Sequence, residues 1–175
     1  MTLPPDLTLR APAAADVESI AALIRACDES YRAWAPEGWE PPPPGRELDR
    51  WRGRITDGSW WTRVAVDSDA RVVALVCFAQ AVVQDTPPTL EPIPGRAHVS
   101  AVFTHPERWR EGIASSMLEA AEAAMRAEGY REVQLWTPED APARGFYEAA
   151  GWRHDGRSQW LADLGLPIVA YVKPL

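Results

Sequence analysis

Val102-Phe103-Thr104-His105-Pro106-Glu107-Arg108-Trp109-Arg110-Glu111-Gly112-Ile113-Ala114-Ser115-Ser116 is the stretch on which the reading of this chain turns. An apolar strand pattern runs into Pro106, then a turn, then Gly112-Ile113-Ala114 at the head of an alanine-rich helix. A strand that feeds a helix through a glycine leaves backbone N–H groups free at the helix start, and the helix dipole adds positive potential there. That geometry binds phosphate or pyrophosphate. One glycine at a helix start is common in ordinary turns, so a second signal is needed. It lies downstream, in Asp140-Ala141-Pro142-Ala143-Arg144-Gly145-Phe146-Tyr147-Glu148-Ala149-Ala150-Gly151-Trp152.

Working outward, residues 97–104 read as a strand. Residues 71–83 are almost continuously apolar, as in a central strand buried on both faces. The polar turn Asp67-Ser68-Asp69-Ala70 joins them to a strand over 60–66. A short strand covers 7–10. Asp16 is expected to cap a helix over 17–28, whose stripe is Val17, Ile20, Ala21, Ile24 and Cys27. A second helix is expected over 45–57, with Leu48, Trp51 and Ile55 inward. Between these helices lie Tyr31, Trp34 and Trp39, followed by four prolines from Pro41 to Pro44 that cannot continue a helix. This connection reads equally as a plain linker or as a lid carrying aromatic side chains over a binding site.

Residues 84–96 hold four more prolines and read as a loop. A helix over 114–128 presents Met117, Leu118, Ala121 and Met125 on one face, and Gly129 ends it. A strand over 131–137 follows, then a helix from Asp140 through Ala150 with Asp140 at its cap and Pro142 in its first turn. Strands over 151–157 and 166–172 close the chain. Mixed strands and helices in this order give an α/β sheet with helices on both faces.

Composition narrows the function. The 175 residues, 46% hydrophobic, suit one domain with a single core. A net charge of −7 argues against nucleic-acid binding, which needs a basic face. The first residues lack the basic and apolar segments of a signal peptide, and no apolar run approaches the roughly 20 residues of a membrane helix. A cytoplasmic location without membrane contact is expected. Cys27 and Cys77 read as small buried apolar groups, and the three His and two Cys show no metal-ligand spacing. Lys173 is the only lysine. Of the nine Trp, several sit in loops (Trp34, Trp39 and Trp109), where an indole often forms a binding wall.

Together the two quoted stretches resemble the GNAT acetyltransferase superfamily, whose members bind acetyl-coenzyme A and acylate amines. The element order matches that family from end to end. The resemblance implies one domain over 1–175. It also implies a mixed, mostly antiparallel sheet of six to seven strands flanked by helices and splayed between the fourth and fifth strands. The family's pyrophosphate motif is Gln or Arg, two variable residues, Gly, one variable residue, then Gly or Ala. Here it falls on Trp109-Arg110-Glu111-Gly112-Ile113-Ala114. Gly112 and Ala114 match; Trp109 replaces the usual Gln or Arg, and Glu111 brings a negative charge where many relatives carry a cation. Phosphate binding would then rest on the backbone amides of Arg110, Glu111, Gly112, Ile113, Ala114 and Ser115. Arg110 or Arg108 is placed to meet a phosphate, and Glu111 is expected to turn to solvent. Val102, Phe103 and Thr104 would contact the pantetheine through their backbone and help hold the oxyanion. Asp140 falls where relatives often have an Asn contacting coenzyme A, alongside its plainer reading as a helix cap.

Phe146-Tyr147-Glu148 with Gly151-Trp152 resembles the family's Phe-Tyr and Gly-Phe signature, which implies that Tyr147 protonates the departing thiolate. A phenol of pKa about 10 is protonated at neutral pH and can donate to a thiolate of pKa about 8.5. Helix periodicity alone would make Tyr147 a packing residue. His98 is the second catalytic candidate. Strict alternation places His98, Ser100, Val102 and Thr104 on one face and Ala97, Val99, Ala101 and Phe103 on the other. Relatives often have a Glu base at the His98 position. An alkylamine of pKa about 10.4 is only about 0.04% neutral at pH 7, a penalty near 4.6 kcal/mol that a base of pKa about 6.5 partly offsets. A structural role for His98 stands beside that reading.

The expected reaction is direct acetyl transfer from acetyl-CoA, without a metal, to a primary amine of a small molecule or peptide. Tyr31, Trp34 and Trp39 would form an aromatic wall for that acceptor. The assembly expected is a monomer or homodimer. The alternative is a non-catalytic acyl-CoA-binding regulatory module of the same fold. A Gly-x-Ser-x-Gly elbow, a Gly-Lys-Ser/Thr phosphate loop and a three-glycine dinucleotide fingerprint are all missing from the sequence.

Overall fold

The computed structural model describes residues 2–43, 45–83 and 90–175. Among the described residues, seven strands form one sheet: β1 (Thr8–Arg10), β2 (Trp61–Val66), β3 (Val72–Val82), β4 (Pro92–Thr104), β5 (Glu132–Pro138), β6 (Arg153–Leu161) and β7 (Leu166–Pro174). Their order is β1-β2-β3-β4-β5-β7-β6, antiparallel throughout except for the parallel pair β4–β5. Four helices cover it: α1 (Val17–Ser30), α2 (Arg46–Asp57), α3 (Ile113–Ala127) and α4 (Ala143–Ala149).

Two apolar layers hold the helices on opposite faces. Ile20, Leu23, Ile24 and Trp51 of α1 and α2 bury against Leu75 and Cys77. Ile113, Met117, Leu118, Ala121 and Met125 of α3 bury against Ala97, Val99 and Val133, with Tyr147 and Trp152. Side chains of this size contribute about 1.5–3 kcal/mol each when fully buried. β3 is buried on both faces, as its unbroken apolar run predicts. Both cysteines are free and buried. Lys173 of β7 reaches the nearly buried Glu122 of α3 at 2.7 Å and ties helix to sheet.

Several boundaries differ from the sequence reading. Asp16 stands at the head of α1 but does not cap it. Its carboxylate accepts two bonds from Arg10 at 2.6 and 2.8 Å and one from the Ala13 amide. β4 begins at Pro92 rather than at residue 97. Pro92 and Pro94 are tolerated because this end of β4 pairs only with β3, and pairing with β5 starts at Arg96. The remainder of the expected 84–96 loop up to Thr89, like Pro44, lies outside the described residues. α4 begins at Ala143 with Pro142 at its cap, and Asp140 sits exposed in the preceding turn without a capping bond. β6 runs on to Leu161.

The departure that matters most is a β-bulge. Cys77 pairs with Ala101 and Phe78 with Val99, so Ser100 is an extra residue in β4. An extra residue reverses the side-chain phase. Ala97, Val99 and Val102 therefore pack toward α3, while Ala101 and Phe103 pack toward α1 and α2. The strict alternation expected across Ser100 does not hold.

Candidate active site

β4 and β5 are hydrogen-bonded only from Arg96↔Glu132 to Val99↔Leu135. Beyond Val99 they separate, and β4 keeps only its β3 partner, through Ala74↔Thr104. Backbone groups of a strand point alternately to its two sides. Those between Ser100 and Thr104 that face away from β3 therefore open into the gap. A cavity of about 290 Å³ fills it, lined by Val102, Phe103, Leu135, Trp136, Tyr31 and Tyr147 among others.

On the α3 side this cavity meets a larger one of about 760 Å³, with Val102, Trp109, Pro142, Ala143 and Tyr147 in both walls. Gly112 (φ +77°) and Arg110 (φ +68°) both adopt left-handed backbone, and together they turn the chain into α3. The first intrahelical bond is donated by the Ser116 amide to the Gly112 carbonyl. The preceding amides form a nest at the positive end of a helix of 15 residues. Arg110, Gly112, Ile113, Ala114 and Ser115 all line this cavity. Glu111 does not. Its carboxylate is held by Arg108 at 2.7 Å, and Arg108 also binds Asp6 at 3.0 Å. That leaves Arg110 as a cavity-lining guanidinium with no carboxylate within 4 Å among the described residues. Trp109 donates its indole N–H to the Thr104 carbonyl at 2.8 Å, so the residue that departs from the family motif is tied to the end of β4.

Thr104 Oγ1, beside the nest, is a buried hydroxyl oxygen without a protein partner, and Ser100 Oγ at the bulge has only the weak Cys77 thiol beside it. Unpaired buried polar groups are costly and point to a missing ligand or water. A nest of amides, a free guanidinium and an orphaned hydroxyl along an elongated apolar cleft suit an acyl-pantetheine with a diphosphate tail.

Tyr147 lies in α4, whose first turn sits over the nest, and it lines both cavities. Burial alone raises its phenol well above the ordinary value, so it stays protonated across the neutral range. α4 is fixed to the sheet by Tyr171, which donates to Glu148 at 2.6 Å and accepts from Arg144 at 3.0 Å. Asp140 lines neither cavity; the wall there comes from Pro142 and Ala143.

On the α1–α2 side a third cavity of about 210 Å³ shares Tyr31, Ser100, Ala101 and Phe103 with the gap. The three cavities share walls in series from the α3 face of the sheet to the α1–α2 face. Tyr31 stacks with Trp34 at 4.7 Å and Trp39 at 6.0 Å. Trp34 lines the gap, whereas Trp39 stands behind it and donates to the Leu164 carbonyl at 2.9 Å. The segment between α1 and α2 is thus pinned at these cavities by aromatic packing.

His98 is not brought to these cavities. It sits between Ala79 and Gln134, where β4 is still paired on both sides, and lines none of the three cavities. Burial, with the Arg54 and Arg157 cations nearby, lowers its pKa to about 4, not the 6–7 that a base needs. Sequence reasoning passed over Asp28 and Arg54, which line the third cavity, and noted Ser100 only as a polar neighbour of His98. Asp28 carried a legible signal. It is an acid in the last turn of α1, where the helix dipole favours cations.

The match to a family model covers residues 24–152 and is to the acetyltransferase (GNAT) family. No curated protein sequence matches the chain. Among solved structures, PaiA N-acetyltransferase from Thermoplasma acidophilum in complex with coenzyme A is 14% identical. The match covers 97% of this chain and 99% of that one, with a TM-score of 0.63. An acetyltransferase from Thermus thermophilus is 19% identical over 99% of this chain and 100% of its own, at a TM-score of 0.70. The ribosomal-protein-S18-alanine N-acetyltransferase from Escherichia coli is 12% identical over 96% and 93%, at 0.65. These likenesses show that the chain shares the fold of those structures. This chain belongs to the GNAT acetyltransferase family. Among the described residues no helix is long and apolar enough to cross a membrane.

Proposed function

We propose that this chain transfers an acetyl group from acetyl-CoA directly to a primary amine. The observation that carries the reading is the row of wall-sharing cavities across the sheet, with the amide nest lining one end and Tyr147 in the wall of both the donor cavity and the gap. The nest from Arg110 to Ser115 and the Arg110 guanidinium would hold the diphosphate, while Glu111 stays on Arg108. Unpaired β4 amides past the Ser100 bulge would hydrogen-bond the thioester oxygen and stabilise the negative charge it gains.

The amine nitrogen then forms a bond to the carbonyl carbon as the carbon–sulfur bond breaks. The thiolate takes its proton from the Tyr147 hydroxyl, and the proton released from nitrogen as the amide forms restores Tyr147 through solvent. Burial keeps the Tyr147 hydroxyl protonated at neutral pH and so present as a donor, and because a lasting phenolate is costly there its proton must be replaced as it is given up. Acceptors of peptide and small-molecule type are both compatible with the aromatic wall of Tyr31 and Trp34.

Release of free thiol from acetyl-CoA with an amine panel, measured beside calorimetric CoA binding, tests the proposal. Thiol release dependent on both amine and enzyme is expected. Tight CoA binding with no release from any amine would instead mark a non-catalytic acyl-CoA-binding module.

A further inference from the structure

The third cavity carries charge that the acetyl-transfer reading does not use. Within it, Arg50 lies 3.2 Å from Glu47 and 3.7 Å from Asp163, one cation shared by two carboxylates. Two further charges have no such partner. Among the described residues no cation lies within 4 Å of the Asp28 carboxylate. Arg54 likewise has no carboxylate within that distance. Its guanidinium rests instead over the rings of Trp60 at 4.3 Å and Trp51 at 4.8 Å, and its charge is disfavoured by burial. Both residues line the same cavity, whose remaining wall includes Ile24, Phe103 and Leu164. Asp28 comes to the wall from α1 and Arg54 from α2.

We propose that this cavity is the acceptor chamber and that it selects an amino acid-like zwitterion, with the ammonium on Asp28 and the carboxylate on Arg54. The inference rests on the acetyl-transfer reading. Its orientation follows from Tyr31, which lines both the chamber, together with Asp28, and the β4–β5 gap, together with Tyr147. The amine end lies toward the β4–β5 gap, and the anionic end lies at Arg54. A half-buried carboxylate and a half-buried guanidinium without an ion-pair partner are each disfavoured, and a ligand of opposite polarity at each end relieves both.

Asp28 has a chemical part as well. It takes one proton from the ammonium, leaving the nitrogen lone pair free to form the bond to the thioester carbon; the carboxylic acid so formed returns that proton to solvent. The groups around Asp28 are Arg25, Cys27, Glu29 and Tyr31 on its own side, with Glu47 and Arg50 from α2. Burial and the Glu47 charge outweigh the two cations and raise the Asp28 carboxyl to about 6. A carboxylate so raised accepts a proton more readily than an ordinary one.

The test is an acceptor series in which β-alanine, 4-aminobutyrate, L-methionine and L-leucine are each set against the matching amide and the matching alkylamine. Wild-type kcat/KM should favour the acid by about 100-fold, the scale expected when a buried charge is left unpaired. Arg54→Met, which keeps the stem over Trp51 and Trp60, should abolish that preference mainly through KM. Asp28→Asn should lower kcat/KM for every amine and remove a rising limb near pH 6. Calorimetric CoA affinity should be unchanged in both variants. Amides or alkylamines used as well as the acids, or an acid preference that survives in Arg54→Met, would overturn the proposal while leaving acetyl transfer standing. Absence of thiol release with every amine would overturn both.

Discussion

Tyr31 at the end of α1 and Tyr147 in α4 line one cavity from opposite faces of the sheet, near enough that a charge on Tyr147 would raise the Tyr31 phenol. Both phenols are pushed well above their ordinary value by burial. Two protonated phenols thus line the cavity where β4 and β5 part, Tyr147 also lining the donor cavity and Tyr31 the acceptor one. The arrangement separates a proton donor at the thioester from the carboxylate at Asp28.

Tyr147→Phe removes one hydroxyl and no packing volume. Thermal stability and CoA affinity should be retained, and kcat should fall by about 10²–10³. Steady-state rates, with calorimetry as the control, check this. A near-normal kcat would return Tyr147 to a purely packing role.

Gly112→Val places a β-branched residue at φ +77° and a side chain in the nest. CoA affinity should drop by at least about tenfold, with a smaller loss of stability from backbone strain. Titration calorimetry reads the first and thermal melting the second. Unchanged affinity would place the diphosphate elsewhere.

His98 makes a prediction about stability instead of rate. Its pKa is about 4 in the folded protein against 6.5 for the free group, so between those values the unfolded chain binds more protons. Stability should rise with pH across that window and fall as acid is added, by up to about 3 kcal/mol in all. His98→Gln should flatten this slope in urea melts recorded from pH 4 to 7. The same variant should keep the wild-type pH profile of kcat/KM.

Asp28 should behave in the opposite sense. Its carboxyl is raised in the folded state, so the folded protein binds more protons between the ordinary carboxyl value and about 6. Ionisation above that window opposes folding. Asp28→Asn should therefore melt higher than wild type at pH 8 and equally at pH 3.5, while losing activity. Equal melting temperatures at both pH values would mean that Asp28 is not desolvated.

The Lys173–Glu122 pair joins β7 to α3 with little solvent access. Lys173→Met leaves a nearly buried carboxylate beside only Arg126, at 3.4 Å, and should cost about 3 kcal/mol in urea unfolding. Adding Glu122→Leu should recover much of that loss, because no buried charge then remains unpaired.

The elements of this fold were legible because they rest on local periodicity. The continuous apolar run of β3, the stripe of α3 and the glycine at its head each appear within a few residues of sequence. The phase of β4 was not legible. Ser100 is followed by Ala101-Val102-Phe103, an apolar run in which a one-residue insertion leaves no mark, and the bulge exists only because β3 pairs across it. His98 was misplaced for that reason: its environment depends on β5 and on distant Arg54 and Arg157, not on its own strand. Asp140 and Asp16 show the same limit at shorter range. Their carboxylates were available to cap helices, but the caps depend on where Pro142 and Arg10 direct the chain.

By itself the sequence determined the order of strands and helices, the αL glycine at the head of α3 and the family-like Phe146-Tyr147 pair, since these are set by residue type and spacing. Tertiary structure alone decided that β4 and β5 separate past Val99 and that Tyr31 and Tyr147 line the cavity there. It likewise decided that Asp28 and Arg54 share a chamber. Pairing, bulging and burial join residues far apart in the chain, and the desolvation that raises Asp28 and lowers His98 comes from neighbours that no local pattern names.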